Sequence, residues 1–138
     1  MQRPNSVKFF VVVLFAGLLL AGCATPSTVV SRKQERSAAY AALPPEMKAA
    51  VDQGQLKAGM NMDAVYIAWG PPGQVLNGGN EGGETTTWIY YGGYVEEVRY
   101  WGHRSVHYDY DPRTYQRAQV VFVNGLVSQW QTFPPPAN

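Results

Sequence analysis

Arg117-Ala118-Gln119-Val120-Val121-Phe122-Val123-Asn124-Gly125-Leu126-Val127-Ser128-Gln129-Trp130-Gln131-Thr132 consists of two apolar and polar runs around a two-residue turn. Asn and Gly both tolerate the positive φ that the two central positions of a type I′ turn require, and that turn has the twist of paired strands. The stretch predicts a tight antiparallel hairpin, 117–123 with 126–132. Pro134-Pro135-Pro136 cannot extend the ladder, so 134–138 is a proline-rich tail. Val120 and Phe122 compete with Val121 and Val123, on the opposite phase, for the inward face, and the pattern alone leaves that choice open.

Working outward, Thr85–Tyr91 is dense in β-branched and aromatic residues and reads as a strand. Gln74–Leu76 reads as a short one. The glycine-rich run 77–83 between them is a loop, mobile or tightly turned. Before these the period becomes helical. Leu43, Met47, Ala50 and Val51 form one apolar stripe from Pro45 to Gln53, with Pro44-Pro45 at its start and Gly54 past its end. Met62, Val65, Tyr66 and Trp69 form a second stripe, begun by the capping amide of Asn61 and stopped by Gly70-Pro71-Pro72. Two helices followed by a meander predict an α+β domain at 44–133, with both helices packed on a three-stranded or longer antiparallel sheet.

The sequence has 138 residues and one cysteine. Arg3 and Lys8, the apolar run Phe9–Leu20 and the small pair Ala21-Gly22 stand in the order of a secretory signal. The run is shorter than the roughly 20 residues a spanning helix needs. Leu20-Ala21-Gly22-Cys23 resembles a bacterial lipobox, which implies cleavage of residues 1–22 and a covalent lipid on Cys23. Ala24, rather than Asp, implies the outer membrane as the destination, with the domain facing the periplasm. Residues 23–43 read as the lipidated cysteine and a flexible tether, too poor in apolar side chains to fold by burial, with transient helix from Arg32 to Ala42. Without the leader, nine basic residues face ten acidic ones, a balance that gives no electrostatic footprint for nucleic acid. With Cys23 lipidated, no thiol is left for a disulfide or a thiolate metal site.

Leu56-Lys57-Ala58-Gly59-Met60-Asn61-Met62-Asp63-Ala64-Val65 with Trp69-Gly70-Pro71-Pro72 resembles the Gly-Met-x4-Val-x4-Gly-x-Pro signature of the SmpA/OmlA (BamE-like) lipoproteins. Trp88-Ile89-Tyr90-Tyr91 is similar to that family's Trp-x-Tyr strand, and Phe122-Val123-Asn124-Gly125 to its closing hairpin. The resemblance implies a BamE-like fold, also likened to one repeat of the β-lactamase-inhibitor-protein fold. It gives Gly59, Met60, Val65, Gly70, Pro72, Trp88, Tyr90, Phe122, Asn124 and Gly125 structural roles. It further implies an accessory, non-catalytic protein of the outer membrane, working with the machinery that assembles β-barrels. None of the matched residues transfers a proton, so scaffold carries over more readily than function.

Residues 92–116 depart from the family pattern as an aromatic-rich insert. Val106, Tyr108 and Tyr110 alternate with His107, Asp109 and Asp111, which predicts strand structure and a second hairpin turning near Gly102. Connections of this length are often functional. Tyr94, Arg99, Tyr100, Trp101, Arg104, Tyr108 and Tyr110 form the candidate partner surface, because rigid rings and guanidinium groups concentrate binding energy. His103, His107, Asp109 and Asp111 could ligate a cation, but their spacing matches no recognised site and they read as a solvated polar face. No serine stands in a nucleophile-elbow sequence. The sequence therefore reads as a non-enzyme with no catalytic residues, no metal and no cofactor beyond the lipid on Cys23. Its expected partners are the membrane, through that lipid, and an envelope protein. The alternatives are a module binding peptidoglycan or another glycan through the insert and, on fold analogy alone, an inhibitor of a periplasmic enzyme.

Overall fold

The computed structural model describes residues 27–137. The leader and Cys23 lie outside the described residues. Among the described residues four short helices precede a single sheet: α1 (Val29–Glu35), α2 (Ser37–Ala42), α3 (Pro45–Asp52), α4 (Met62–Trp69), then β1 (Gln74–Asn80), β2 (Gly83–Gly102), β3 (Ser105–Val123) and β4 (Leu126–Thr132). The strands pair antiparallel in chain order, β1-β2-β3-β4. The architecture is α+β, with one more strand than the minimum of three expected and two helices before the expected pair.

The helix boundaries follow local chemistry. Asn61 accepts from the Ala64 N–H at 2.8 Å and caps α4. Gly70 ends that helix at φ 89°, and Gly54 follows α3 at φ 65°, conformations that a side chain would oppose. The Trp69 indole N–H donates to the Gly54 carbonyl at 2.8 Å, tying the ends of the two helices together.

Val120, Phe122, Ala118, Tyr90 and Val127 turn toward the helices and are buried with Val51, Ala64, Val65, Ile67 and Met60. This settles the inward phase of the closing hairpin. Val121, Val123 and Ile89 lie half-buried on the other face. Met47 and Trp69 pack at the edge of the core, and Trp88 meets the Phe122 ring at 5.0 Å. Trp130 pairs with Val120 but sits at the sheet's rim, largely exposed. The Gly59-Met60 turn is stitched to β4: the Gly59 N–H donates to the Val127 carbonyl (2.8 Å) and the Val127 N–H to the Met60 carbonyl (2.7 Å). Asn124 (φ 51°) and Gly125 (φ 79°) make the expected turn between β3 and β4.

Three local readings change. The glycine-rich run is largely strand: Asn77, Gly78 and Gly79 pair with Thr86, Thr85 and Glu84, and the turn is confined to Glu81-Gly82. Residues 29–42, read as flexible tether, form α1 and α2. The Thr28 hydroxyl accepts from the Ser31 N–H (3.2 Å) while the Thr28 N–H donates to Ser31 Oγ (2.9 Å), a reciprocal cap that starts α1. Arg32, 6% exposed, anchors α1, and Val29 and Tyr40 pack half-buried against the core beside it. Residues 92–116 take the strand structure and the hairpin turn beside Gly102 that their alternation predicts, but not as an insertion between strands. They are the outer halves of β2 and β3, which run without interruption from the core.

Candidate functional site

β1 pairs with β2 only as far as Ile89, and β4 pairs with β3 only from Ala118 onward. Beyond those points, among the described strands, β2 and β3 pair only with each other, as a two-stranded arm of Tyr91–Gly102 against Ser105–Gln116. At about 3.4 Å per residue its length is roughly 37 Å. The root carries a bulge, because Tyr90 pairs with Ala118 but Tyr91 with Gln116, leaving Arg117 without a partner across the ladder. Such a bulge bends and twists the strand that holds it. His103 and Arg104 link the strands at the tip, with Arg104 at φ 83°. None of the buried core residues lies between Tyr91 and Arg117.

Register assigns the candidate residues to two faces. On one, Arg99 lies opposite Tyr108, Glu97 opposite Tyr110, Trp101 opposite Val106 and Val95 opposite Pro112. Trp101 is 77% exposed and Tyr110 62%. Arg99, Trp101, Tyr108 and Tyr110 thus form one continuous surface. Tyr94 and Tyr100 belong to the other face, paired with Arg113 and His107, and Arg104 belongs to the turn. The seven residues therefore do not form one patch. Odd and even positions of β2 separate Arg99 and Trp101 from Tyr94 and Tyr100, and the bulge at Arg117 sets which of those faces Tyr108 and Tyr110 join.

The second face is internally satisfied. Arg113 bridges Glu96 (3.1 Å) and Asp111 (3.0 Å). Tyr100 stacks on His107 with centroids 5.6 Å apart, and His107 Nε2 lies 3.1 Å from Ser105 Oγ. Tyr94 meets Tyr115 edge-on at 5.9 Å. The Tyr115 ring also covers Gly92, where a Cβ would come within 2.8 Å of it. His107, Asp109 and Asp111 do share this face, as their alternation predicts. Asp111 is nevertheless held by Arg113, and Asp109 accepts from the Tyr110 N–H at 2.9 Å. Among the described residues no group of three or more His, Cys, Asp or Glu side chains is placed to hold a metal ion.

Elsewhere, an open groove of about 630 Å³ runs past Arg36, Asp63, Tyr66, Val75 and Trp88. Its polar wall is already paired. Arg36 forms an ion pair with Asp63 and lies 4.1 Å above the Tyr66 ring, and the Tyr66 hydroxyl donates to Glu35 at 3.0 Å. The arm offers more: exposed π faces and guanidinium donors, which suit contact rather than bond-making.

Comparison with known proteins finds no matching family model, no matching curated protein and no matching solved structure.

Proposed function

We propose that this chain is a lipid-anchored, non-enzymatic protein of the cell envelope, of the SmpA/OmlA (BamE-like) kind. In this reading it is held to the outer membrane on its periplasmic side and works through protein contacts in the assembly or maintenance of that membrane. The observation that carries the contact reading is the exposed face built from Arg99, Trp101, Tyr108 and Tyr110 on an arm the core does not need. Leaving such rings in water is unfavourable, whereas covering them contributes about 25 cal/mol per Å² of apolar area. The lipobox and the motif order of the helical and hairpin segments support the envelope location and the family.

Photocrosslinking in cells from probes at Tyr108 and Tyr110 tests the proposal, with Tyr66 on α4 as reference. The expected outcome is capture of an envelope protein from the arm positions and not from Tyr66. Equal yields at all three positions, or adducts with cell-wall fragments alone, overturn it. In the second case the glycan-binding alternative takes its place, and Tyr100→Ala, Trp101→Ala and Tyr108→Ala would then abolish retention on purified sacculi.

A further inference from the structure

From root to tip, the exposed face of the arm carries Val95, Glu97, Arg99 and Trp101 along β2. Directly across on β3 stand Pro112, Tyr110, Tyr108 and Val106. Every one of these side chains is exposed. Among the described residues neither Glu97 nor Arg99 takes part in an ion pair, whereas Glu96 and Asp111 on the other face are both held by Arg113. The order has a symmetry of its own. Read from either end, β2 runs apolar, charged, charged, apolar, with the charge inverted at the centre, and β3 runs apolar, ring, ring, apolar.

From this we infer that the face pairs with the same face of a second copy of this chain, the two arms antiparallel and related by a two-fold axis crossing the ribbon at the paired residues Val98 and Asp109. The inference rests on the protein-contact reading and names the partner. A two-fold contact makes each pairing twice, so Glu97 of each copy meets Arg99 of the other. Trp101 covers Val95 of the opposite copy, and Val106 meets Pro112. Tyr108 meets Tyr110, which places the tyrosine rings of both copies together at the centre, where offset or edge-on packing suits them.

Charge selects this register over its neighbours. Side chains on one face recur every second residue, so the adjacent axes pass through Arg99 or through Glu97. Either one sets a charge against its own copy, and like charges facing each other across an interface are repulsive. Parallel arms fare no better, because Glu97 then lies on Tyr110 and Arg99 on Tyr108, and no charges are matched. The antiparallel pairing about Val98 alone gives both unpaired charges a partner while keeping ring on ring. The face is about 24 Å long over residues 95–101 and, with strands about 4.8 Å apart, roughly 10 Å wide. Pairing two such faces covers less than the roughly 1,200 Å² of a standard interface. The contact is therefore weak between free molecules and suits copies held on one membrane, where confinement raises their effective concentration.

The test uses the full-length lipoprotein in its native membranes, expressed as two differently tagged copies, with a photocrosslinking probe at Tyr110. The expected result is an adduct joining the two tags, at a yield well above that from a probe at Tyr66. Glu97→Arg and Arg99→Glu each set like charges opposite one another and should lower that yield about tenfold. Expressing the two variants together should restore it, as should one chain carrying both substitutions. Neither side chain is paired within the described fold, so far-ultraviolet circular dichroism should be unchanged in all of them. Adducts with a different envelope protein and none between the tags overturn the self-pairing and leave the protein-contact reading intact. The absence of any protein adduct from the arm overturns both. Adducts between the tags that persist in either single variant, or that form equally from Tyr66, overturn this face as the interface. Loss in both single variants without recovery on mixing overturns the antiparallel pairing.

Discussion

Arg32 on α1 caps the last turn of α4, donating from Nε to the carbonyl of Ile67 at 2.9 Å. Its Nη2 reaches the Ala68 carbonyl at 3.0 Å, and Nη1 reaches the Ser27 carbonyl and hydroxyl at 2.6 and 3.1 Å. A cation at a helix C-terminus lies where the backbone dipole is negative, and the carbonyls it meets have no partner within their own helix. One side chain therefore both terminates α4 and fastens the N-terminal segment to the core. Arg32→Met keeps the aliphatic stem and removes every donor. It should cost about 2–4 kcal/mol, read as a lower urea midpoint with an unchanged slope. Arg32→Lys should recover only part of the loss, because one ammonium cannot imitate the planar fork. A midpoint unchanged in Arg32→Met would show that these hydrogen bonds do not fasten α1 to the core.

That contact also shows where the sequence becomes illegible. The caps at Asn61, Gly54 and Gly70 and the turn at Asn124-Gly125 are local, and their chemistry is complete within a few residues. The docking of α1 is not: an arginine in a Ser, Ala and Gln background looks solvated, and its acceptors lie 35 and 36 residues away. The arm is an intermediate case. The alternation of Val106, Tyr108 and Tyr110 is visible, while Gly92-Gly93 and Pro112, poor strand formers, lie within β2 and β3. The candidate site was therefore legible as a list of residues, while the face that Tyr108 and Tyr110 join depends on the bulge at Arg117.

The arm should be dispensable for folding. Joining Tyr91 to Gln116, which are paired across the sheet, through Asn-Gly in place of residues 92–115 supplies a type I′ turn and removes no core side chain. The shortened protein should unfold cooperatively within a few degrees of the parent. In the intact protein, arm amides should exchange with deuterium much faster than those of Val120 and Phe122, since an isolated two-stranded ribbon is marginal in water. Loss of cooperativity on excision would mean that the arm stabilises the core.

Gly83 and Asn124 are matched across the sheet's end. Gly83 has φ 125°, and a Cβ there would fall 2.3 Å from the Asn124 side-chain oxygen, which accepts from the Glu84 N–H at 3.3 Å. Gly83→Ala should therefore destabilise by about 1–3 kcal/mol through strained backbone and steric overlap. Asn124→Gly keeps the positive φ accessible and loses only the side-chain bond, so it should be the milder change. Thermal unfolding of both variants checks the order, and the reverse order would contradict this packing.

Burial pushes the Tyr90 hydroxyl well above its ordinary value of 10.0, against the opposing pull of Arg32 and Arg117. A raised folded value means that stability is fully present below pH 10 and declines as the pH rises beyond it. Tyr90→Phe keeps the edge-on contact with Trp69, at 5.4 Å, and loses the hydrogen bond to Gly70. It should cost about 1 kcal/mol at neutral pH. The gap to wild type should narrow above pH 10, and a gap constant through that range would show that the hydroxyl ionises freely in the fold.

Lys33, Tyr40 and Asp52 join three helices at one point. Lys33 Nζ lies 2.7 Å from Asp52 Oδ1 and 4.3 Å from the centre of the Tyr40 ring, and the Tyr40 hydroxyl donates to Asp52 Oδ2 at 2.9 Å. Asp52 ends α3, where the helix dipole disfavours an anion. The hydrogen bond from Lys33, then that from Tyr40, nevertheless holds its carboxyl below the ordinary 3.8, while the bond to Asp52 raises Lys33 above 10.5. The depressed carboxyl stabilises the fold above about pH 3.8 and loses that effect as the pH falls through its lowered value. The raised ammonium stabilises below about pH 10.5 and loses its effect as the pH climbs past it. The group is largely solvated, so the contribution is small and weakened by salt. Asp52→Asn should therefore be less stable than wild type at neutral pH and low ionic strength. The difference should shrink toward both pH limits and on adding salt, as followed by urea unfolding across the pH range. A difference that persists unchanged in strong acid and high salt would assign it to packing of the Asp52 side chain rather than to its charge.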